Sequence, residues 1–205
     1  MPVELIKICG ITRPEDAQAA VDAGANAVGF VFWPDSPRRV SVDVAKRIAA
    51  KTRVTTVGVF VDQPADEVNA IAEEVGLGVV QLHGTESVDY ARSIARPVWK
   101  ALTLDARVDS WPADIVILLD AHDPVRKGGT GRTIDWKRAA EIATRRKVVL
   151  AGGLKPENVG EALANVQPYG IDVSSGVEKA PGIKDVGRLQ ALFEAVNGSH
   201  HQTRS

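Results

Sequence analysis

Cysteine occurs once in the 205 residues, at Cys9. A single thiol excludes an internal disulfide and fits a reducing compartment, so a cytoplasmic location is expected. Histidine is scarce too. Of four, His200 and His201 stand in the polar C-terminal tail, which argues against a metal centre built at several strand ends. No apolar run approaches the length of a membrane span. Met1 to Glu4 leads straight into a strand pattern, without the shape of a signal peptide. The formal net charge is only −1, so no bulk field calls for nucleic acid or a membrane surface as partner. No Gly-x-Gly-x-x-Gly follows the first apolar run, which weakens a dinucleotide-binding reading. No Pro/Ser-rich linker splits the chain.

What is present is an alternation of two periods. Apolar, β-branched runs stand at 5–9, 27–32, 55–61, 79–82, 98–101, 115–119, 147–151 and 170–173. Helical patterns lie between them at 14–23, 42–50, 64–75, 87–95, 134–144, 156–165 and 185–197, while 105–111 supports a short helix at most. Near-continuous apolar strands separated by helices imply a parallel sheet covered by helices. Eight units form either a doubly wound sheet or a barrel. The count of eight, at roughly 26 residues per unit, favours a single (β/α)8 barrel over residues 1–198 with a disordered tail at 199–205. Thr12 before Pro14 and Glu15 reads as a helix cap, and Gly24 and Gly76 as helix stops. No long exposed apolar stripe is evident, so a monomer is expected, with a homodimer as the alternative.

In such a barrel the chemistry sits at the C-terminal ends of the strands. Cys9 closes the first strand, and Lys7, two residues earlier, shares its face. An ammonium beside a thiol favours the thiolate, the form that acts as base or nucleophile. Asp172, on the Ser174 face of the eighth strand, is placed to pair with Lys7 inside the barrel and to moderate that effect. Gly152 and Gly153 after strand seven, and Ser174, Ser175 and Gly176 after strand eight, form adjacent turns where these barrels bind phosphate. Gly129 and Gly131, in the run 128–131, read either as a third contact or as a lid. Asp120 at the end of strand six is a candidate general acid or an ordinary loop carboxylate. Gln81 and His83 end strand four, and His83 either polarises substrate or packs the turn. Arg38 is a candidate carboxylate ligand, although Arg39 beside it competes for that role.

These motifs converge. Lys7-Ile8-Cys9-Gly10-Ile11-Thr12, Gly29-Phe30-Val31-Phe32, Ser36-Pro37-Arg38, Gln81-Leu82-His83-Gly84 and Leu118-Leu119-Asp120 resemble the phosphoribosylanthranilate isomerase family. So do Val57-Gly58-Val59-Phe60-Val61, Gly128-Gly129-Thr130-Gly131, the run 151–159 and the run 172–182, in the family's order, over residues 5 to about 195. The resemblance implies a cofactor-free barrel enzyme of tryptophan biosynthesis that takes a small phosphorylated substrate through an Amadori rearrangement. It implies Cys9 as general base, Asp120 as general acid and Arg38 as the holder of the anthranilate carboxylate. It also implies a phosphate site at Gly152, Gly153, Ser174, Ser175 and Gly176, with Gly129 and Gly131 near the substrate. Burial in the barrel mouth is expected to raise the pKa of Asp120, and Lys7 to lower that of Cys9.

The competing readings are a metal-dependent epimerase, which the few histidines disfavour, and a broader isomerase with paired aspartates, where strand one here has Cys9. A non-catalytic sugar-phosphate binder would need neither Cys9 nor Asp120.

Overall fold

The computed structural model describes residues 3–120 and 135–202, with side chains as far as residue 198. The first half runs β1 (Leu5–Ile8), α1 (Pro14–Ala23), β2 (Ala27–Val31), α2 (Val42–Ala49), β3 (Thr55–Phe60), α3 (Ala65–Val75), β4 (Val79–Leu82) and α4 (Val88–Arg92). Then come β5 (Val98–Thr103), a single 3-10 turn at Val108–Ser110 and β6 (Val116–Asp120). The remainder is α5 (Trp136–Ala143), β7 (Val148–Ala151), α6 (Pro156–Val166), β8 (Gly170–Val173), a 3-10 turn at Ser175–Val177, a small hairpin of β9 (Glu178–Ala180) and β10 (Ile183–Lys184), and α7 (Val186–Gln202). Strands β1 to β8 pair in chain order, and β8 closes on β1 with Lys7 opposite Asp172 and Ile8 opposite Val173. The expected eight-stranded parallel barrel with outer helices is what forms.

Closure explains why the strands read as unbroken apolar runs. Both faces are buried. Leu5, Ala27, Val57, Val79, Trp99, Leu118 and Val149 point inward and fill the barrel. Their neighbours Ile8, Val28, Phe30, Phe60, Leu82, Ile117, Leu150 and Ile171 point outward and pack under the helices. Each such side chain contributes roughly 1.5–3 kcal/mol of burial. Toward the mouth the inner face carries the polar Lys7, Gln81 and Asp172 beside a small apolar cluster of Cys9, Val31 and Val59. Among the described residues no helix is long and apolar enough to cross a membrane.

Three local expectations change. Thr12 does not cap α1; Arg13 occupies that position, and the Thr12 hydroxyl donates instead to the Gly182 carbonyl, tying β1 to the hairpin. Helix α4 ends at Arg92 rather than Ala95, because the Ala95 N–H donates to Asn69 Oδ1 on α3 (2.8 Å) and leaves the helical path. Helix α7 continues to Gln202, past the boundary expected at 198, with Leu189, Leu192, Phe193 and Val196 seated on the core. Gly24 and Gly76 are left-handed C-caps as expected.

Candidate active site

The mouth is assembled from strand ends. Cys9 lies directly after β1, its N–H donating to the Val173 carbonyl at the end of β8 (2.9 Å). Lys7 is wholly buried one layer below, its Nζ 2.9 Å from both oxygens of Asp172. Both side chains crowd Gly29 on β2. A Cβ there would lie 2.9 Å from Cys9 Sγ and 2.9 Å from Lys7 Cε, so only glycine leaves them room. Burial works against the Lys7 charge, yet Asp172 and then Cys9 outweigh it and hold its pKa above the usual lysine value. Cys9 departs from expectation. Burial pushes its thiol up; Lys7 pulls it down without reversing the direction.

Across the ring, β6 delivers Asp120 beside His83, with His83 Nε2 3.6 Å from Asp120 Oδ2. Gln81 is buried, and its Nε2 lies 3.3 Å from His83 Nδ1. A donor there makes Nδ1 the acceptor, so the tautomer assigned by this contact carries its proton on Nε2, facing Asp120. His83 is thus exposed at the mouth and does not pack the turn. The expected burial of Asp120 is not found either, since its side chain keeps 29% exposure. Lys100 braces this corner from below. Its Nζ donates to the Gly84 carbonyl (2.6 Å) and to Glu86 (2.8 Å), while Glu86 accepts from the N–H groups of Asp62 and Gly84.

The loops after β7 and β8 meet edge to edge. Gly152 and Gly153 have φ of 86° and 67°. Gly176 abuts the neighbouring loop so tightly that a Cβ would stand 1.9 Å from the Leu154 carbonyl oxygen. Gly153 and Ser175 are exposed, and their main-chain N–H groups have no hydrogen-bond acceptor among the described residues. The Ser174 hydroxyl donates to the Cys9 carbonyl (3.2 Å), linking this turn to the thiol. Gly129 and Gly131 lie outside the described residues.

Arg38 is the arginine that faces inward; Arg39 is exposed. Arg38 Nε and Nη2 grip the Glu178 carboxylate at 2.7–3.1 Å, with Lys184 on the opposite side of that carboxylate at 2.8 Å. Burial opposes ionisation of Glu178, but the hydrogen bonds from Arg38 and Lys184 prevail and keep its pKa below the ordinary carboxylate value. Sequence reasoning assigned no role to Glu178 or Lys184. Glu178 stands inside the run 172–182, six residues after Asp172, where a carboxylate so near a phosphate turn was a usable signal. Lys184 had none, because only the hairpin folds it inward.

The fold and this mouth define a class: a (β/α)8 enzyme with a thiol and a carboxylate at opposed strand ends. The family model for N-(5'phosphoribosyl)anthranilate (PRA) isomerase matches residues 6–195. The chain is 47% identical over 195 residues to N-(5'-phosphoribosyl)anthranilate isomerase of Trichlorobacter lovleyi, covering 92% of this chain and 95% of that one. The solved phosphoribosyl anthranilate isomerase of Thermotoga maritima superposes with a TM-score of 0.87 at 40% identity, covering 97% of this chain and 100% of that one. A further solved isomerase, in complex with reduced 1-(o-carboxyphenylamino)-1-deoxyribulose 5-phosphate, gives a TM-score of 0.84 at 39% identity, with coverage of 97% and 100%. The chain belongs to the N-(5'-phosphoribosyl)anthranilate isomerase family.

Proposed function

We propose that this chain isomerises N-(5'-phosphoribosyl)anthranilate to 1-(o-carboxyphenylamino)-1-deoxyribulose 5-phosphate, a step of tryptophan biosynthesis, by acid/base catalysis of an Amadori rearrangement. The observation that carries this reading is the pairing, within a barrel of this family, of Cys9 with Lys7 after β1 and of Asp120 with His83 at the end of β6. Asp120 delivers a proton to the furanose oxygen as the C1–O bond breaks and the amine nitrogen forms an iminium. The iminium acidifies the C2 proton, which the Cys9 thiolate removes. The enolamine then takes a proton at C1 and its C2 hydroxyl becomes the ketone. The proton gained at C1 balances the one taken from C2, and the one released by the C2 hydroxyl balances the one given to the ring oxygen. The ring C1–O bond thus opens with no net gain or loss of atoms, and the oxidation levels of C1 and C2 exchange within the molecule.

Arg38 holds the anthranilate carboxylate, supported by its inward orientation on Glu178. The N–H groups of Gly152, Gly153, Ser174, Ser175 and Gly176 hold the phosphate, supported by the abutted loops. The phosphorylated ligand of the solved relative supports the same substrate class. Gln81 and His83 orient Asp120, and Lys7 with Asp172 polarises Cys9. The lone cysteine, Cys9, supports a cytoplasmic setting.

The test follows loss of anthranilate fluorescence when purified protein meets freshly prepared phosphoribosylanthranilate. Wild type consumes it faster than spontaneous hydrolysis. Cys9→Ala and Asp120→Asn each lower kcat by about 10²–10⁴-fold. Turnover untouched by either change overturns the assigned roles, and no turnover in wild type overturns the activity.

A further inference from the structure

A buried cation outside the acid/base pair touches three separate parts of the mouth. Lys184 ends the hairpin strand β10, and its side chain has no exposure. An ammonium carries three N–H donors and no acceptor. Lys184 has three acceptors for them: the Cys9 carbonyl, the Ser174 carbonyl at 3.3 Å and Glu178 Oε1 at 2.8 Å. The first belongs to the residue read as general base. The second opens the turn read as the phosphate site. The third is the carboxylate that grips Arg38, read as the carboxylate ligand.

The backbone of Lys184 is anchored independently. Its N–H donates to Asp16 Oδ2 on α1 (3.0 Å), and that carboxylate is itself gripped by Arg13. The hairpin is also sewn to β1 by Thr12 on Gly182, and Gly182 N–H donates to Glu178 (3.2 Å). A filler of the hairpin base would not need a charge, and burying one is costly unless every donor is used. Here all three are used, and each acceptor lies at a different substrate contact. Two cations, Arg38 and Lys184, share the single Glu178 carboxylate, leaving one positive charge in excess beside a mouth read as binding a dianionic and a monoanionic group.

We propose that Lys184 is a positioning residue that locks the Cys9 backbone, the Ser174 turn and, through Glu178, the Arg38 guanidinium into one preorganised unit. This rests on the isomerase reading for what the three contacts do, but its signature is measurable without turnover. The charged groups around the Cys9 thiol are Lys7, Asp172 and Lys184. Lys7 and, less strongly, Lys184 lower the thiol pKa while Asp172 raises it, so loss of Lys184 moves the thiol further up.

The experiment compares wild type, Lys184→Met and Lys184→Arg, alone and with Arg38→Ala, after circular dichroism and melting confirm folding. Alkylation of Cys9 by iodoacetamide against pH is read on free protein. Lys184→Met shifts the midpoint to higher pH, and Lys184→Arg restores part of the shift. With substrate, Lys184→Met lowers kcat/KM about tenfold to a hundredfold, the loss of one charged hydrogen bond, mainly through KM. Arg38→Ala then costs less in the Lys184→Met background than in wild type, since the two act through one carboxylate. An unmoved alkylation midpoint, or strict additivity against Arg38→Ala, overturns the proposal, because a merely structural lysine gives either result. If Lys184→Met does not fold, Glu178→Gln paired with Arg38→Ala reads the same coupling, and additivity there overturns it equally. Should wild type show no turnover, the isomerase reading falls, while the alkylation midpoints still decide for or against Lys184.

Discussion

Cys9 and Lys7 meet around Gly29, a residue with no side chain, where burial and the lysine charge act on the thiol in opposite directions. Burial raises the Cys9 pKa above the reference thiol value of 9.0, with Lys7 opposing. A general base must be deprotonated, so kcat/KM is expected to climb with pH and to keep climbing past 9.0, where an unperturbed thiol would be half ionised. Lys7→Met removes the opposing charge and leaves Asp172 unpaired nearby, so the alkaline limb moves to still higher pH. A pH–rate profile of both proteins checks this, and an unmoved limb counts against any role of Lys7 at the thiol. Gly29→Ala puts a methyl 2.9 Å from Sγ. The expected result is overpacking by about 1–3 kcal/mol in a denaturant melt, with a larger fractional loss in kcat than in KM because the thiol, and not a binding contact, is displaced.

Among the elements, the two loops after β7 and β8 depend on each other. Gly176 sits against the Leu154 carbonyl at a distance no side chain tolerates, so Gly176→Ala forces the loops apart. KM is expected to rise about tenfold or more for a strained oxyanion contact, and inhibition by inorganic phosphate to weaken in parallel. Unchanged phosphate inhibition would separate these loops from the phosphate site. The hairpin β9–β10 carries a second dependence, on acid. Glu178 has a folded pKa below its ordinary value of 4.5, so its ion pairs contribute stability above pH 4.5 that is lost as pH falls through the folded pKa. Glu178→Gln removes that contribution. The melting temperatures of wild type and Glu178→Gln are therefore expected to differ most near neutrality and to converge in acid.

For the whole molecule, the large apolar side chains exposed among the described residues are Trp33, in the loop after β2, and Val186, at the start of α7. Among the described residues such scattered exposure makes no self-complementary patch, and gel filtration with light scattering is expected to give the mass of one chain. Among the described side chains of α7, the last in the core is Val196. Truncation after Gly198 keeps every core side chain of the described residues, so melting temperature and turnover are expected to stay within error of the full chain. A drop of several degrees would assign a structural role to the last turns of α7.

Much of this protein is written in local pattern. Continuous apolar runs, helix signals between them and a count of eight favour a closed parallel barrel, because strands buried on both faces must be covered inside and out. The same pattern brings Cys9, Asp120 and the two glycine turns to the mouth, since each ends or directly follows a strand. Lys7 and Asp172 were legible as a pair because β1 and β8 must be neighbours in a closed ring. What local pattern did not carry is anything decided by distance through space. The rise in the Cys9 pKa depends on how much protein surrounds the sulfur, not on the lysine two residues away. The choice of Arg38 over Arg39 depends on which one reaches Glu178, 140 residues later. Lys184 meets Cys9 across 175 residues through a hairpin that no periodicity announces. The sequence by itself determined the barrel and which side chains stand at the strand ends, because both follow from apolar runs and their order. Only the tertiary structure decided the protonation balance and the scaffolding of the site, because desolvation and ion pairing are set by three-dimensional neighbours.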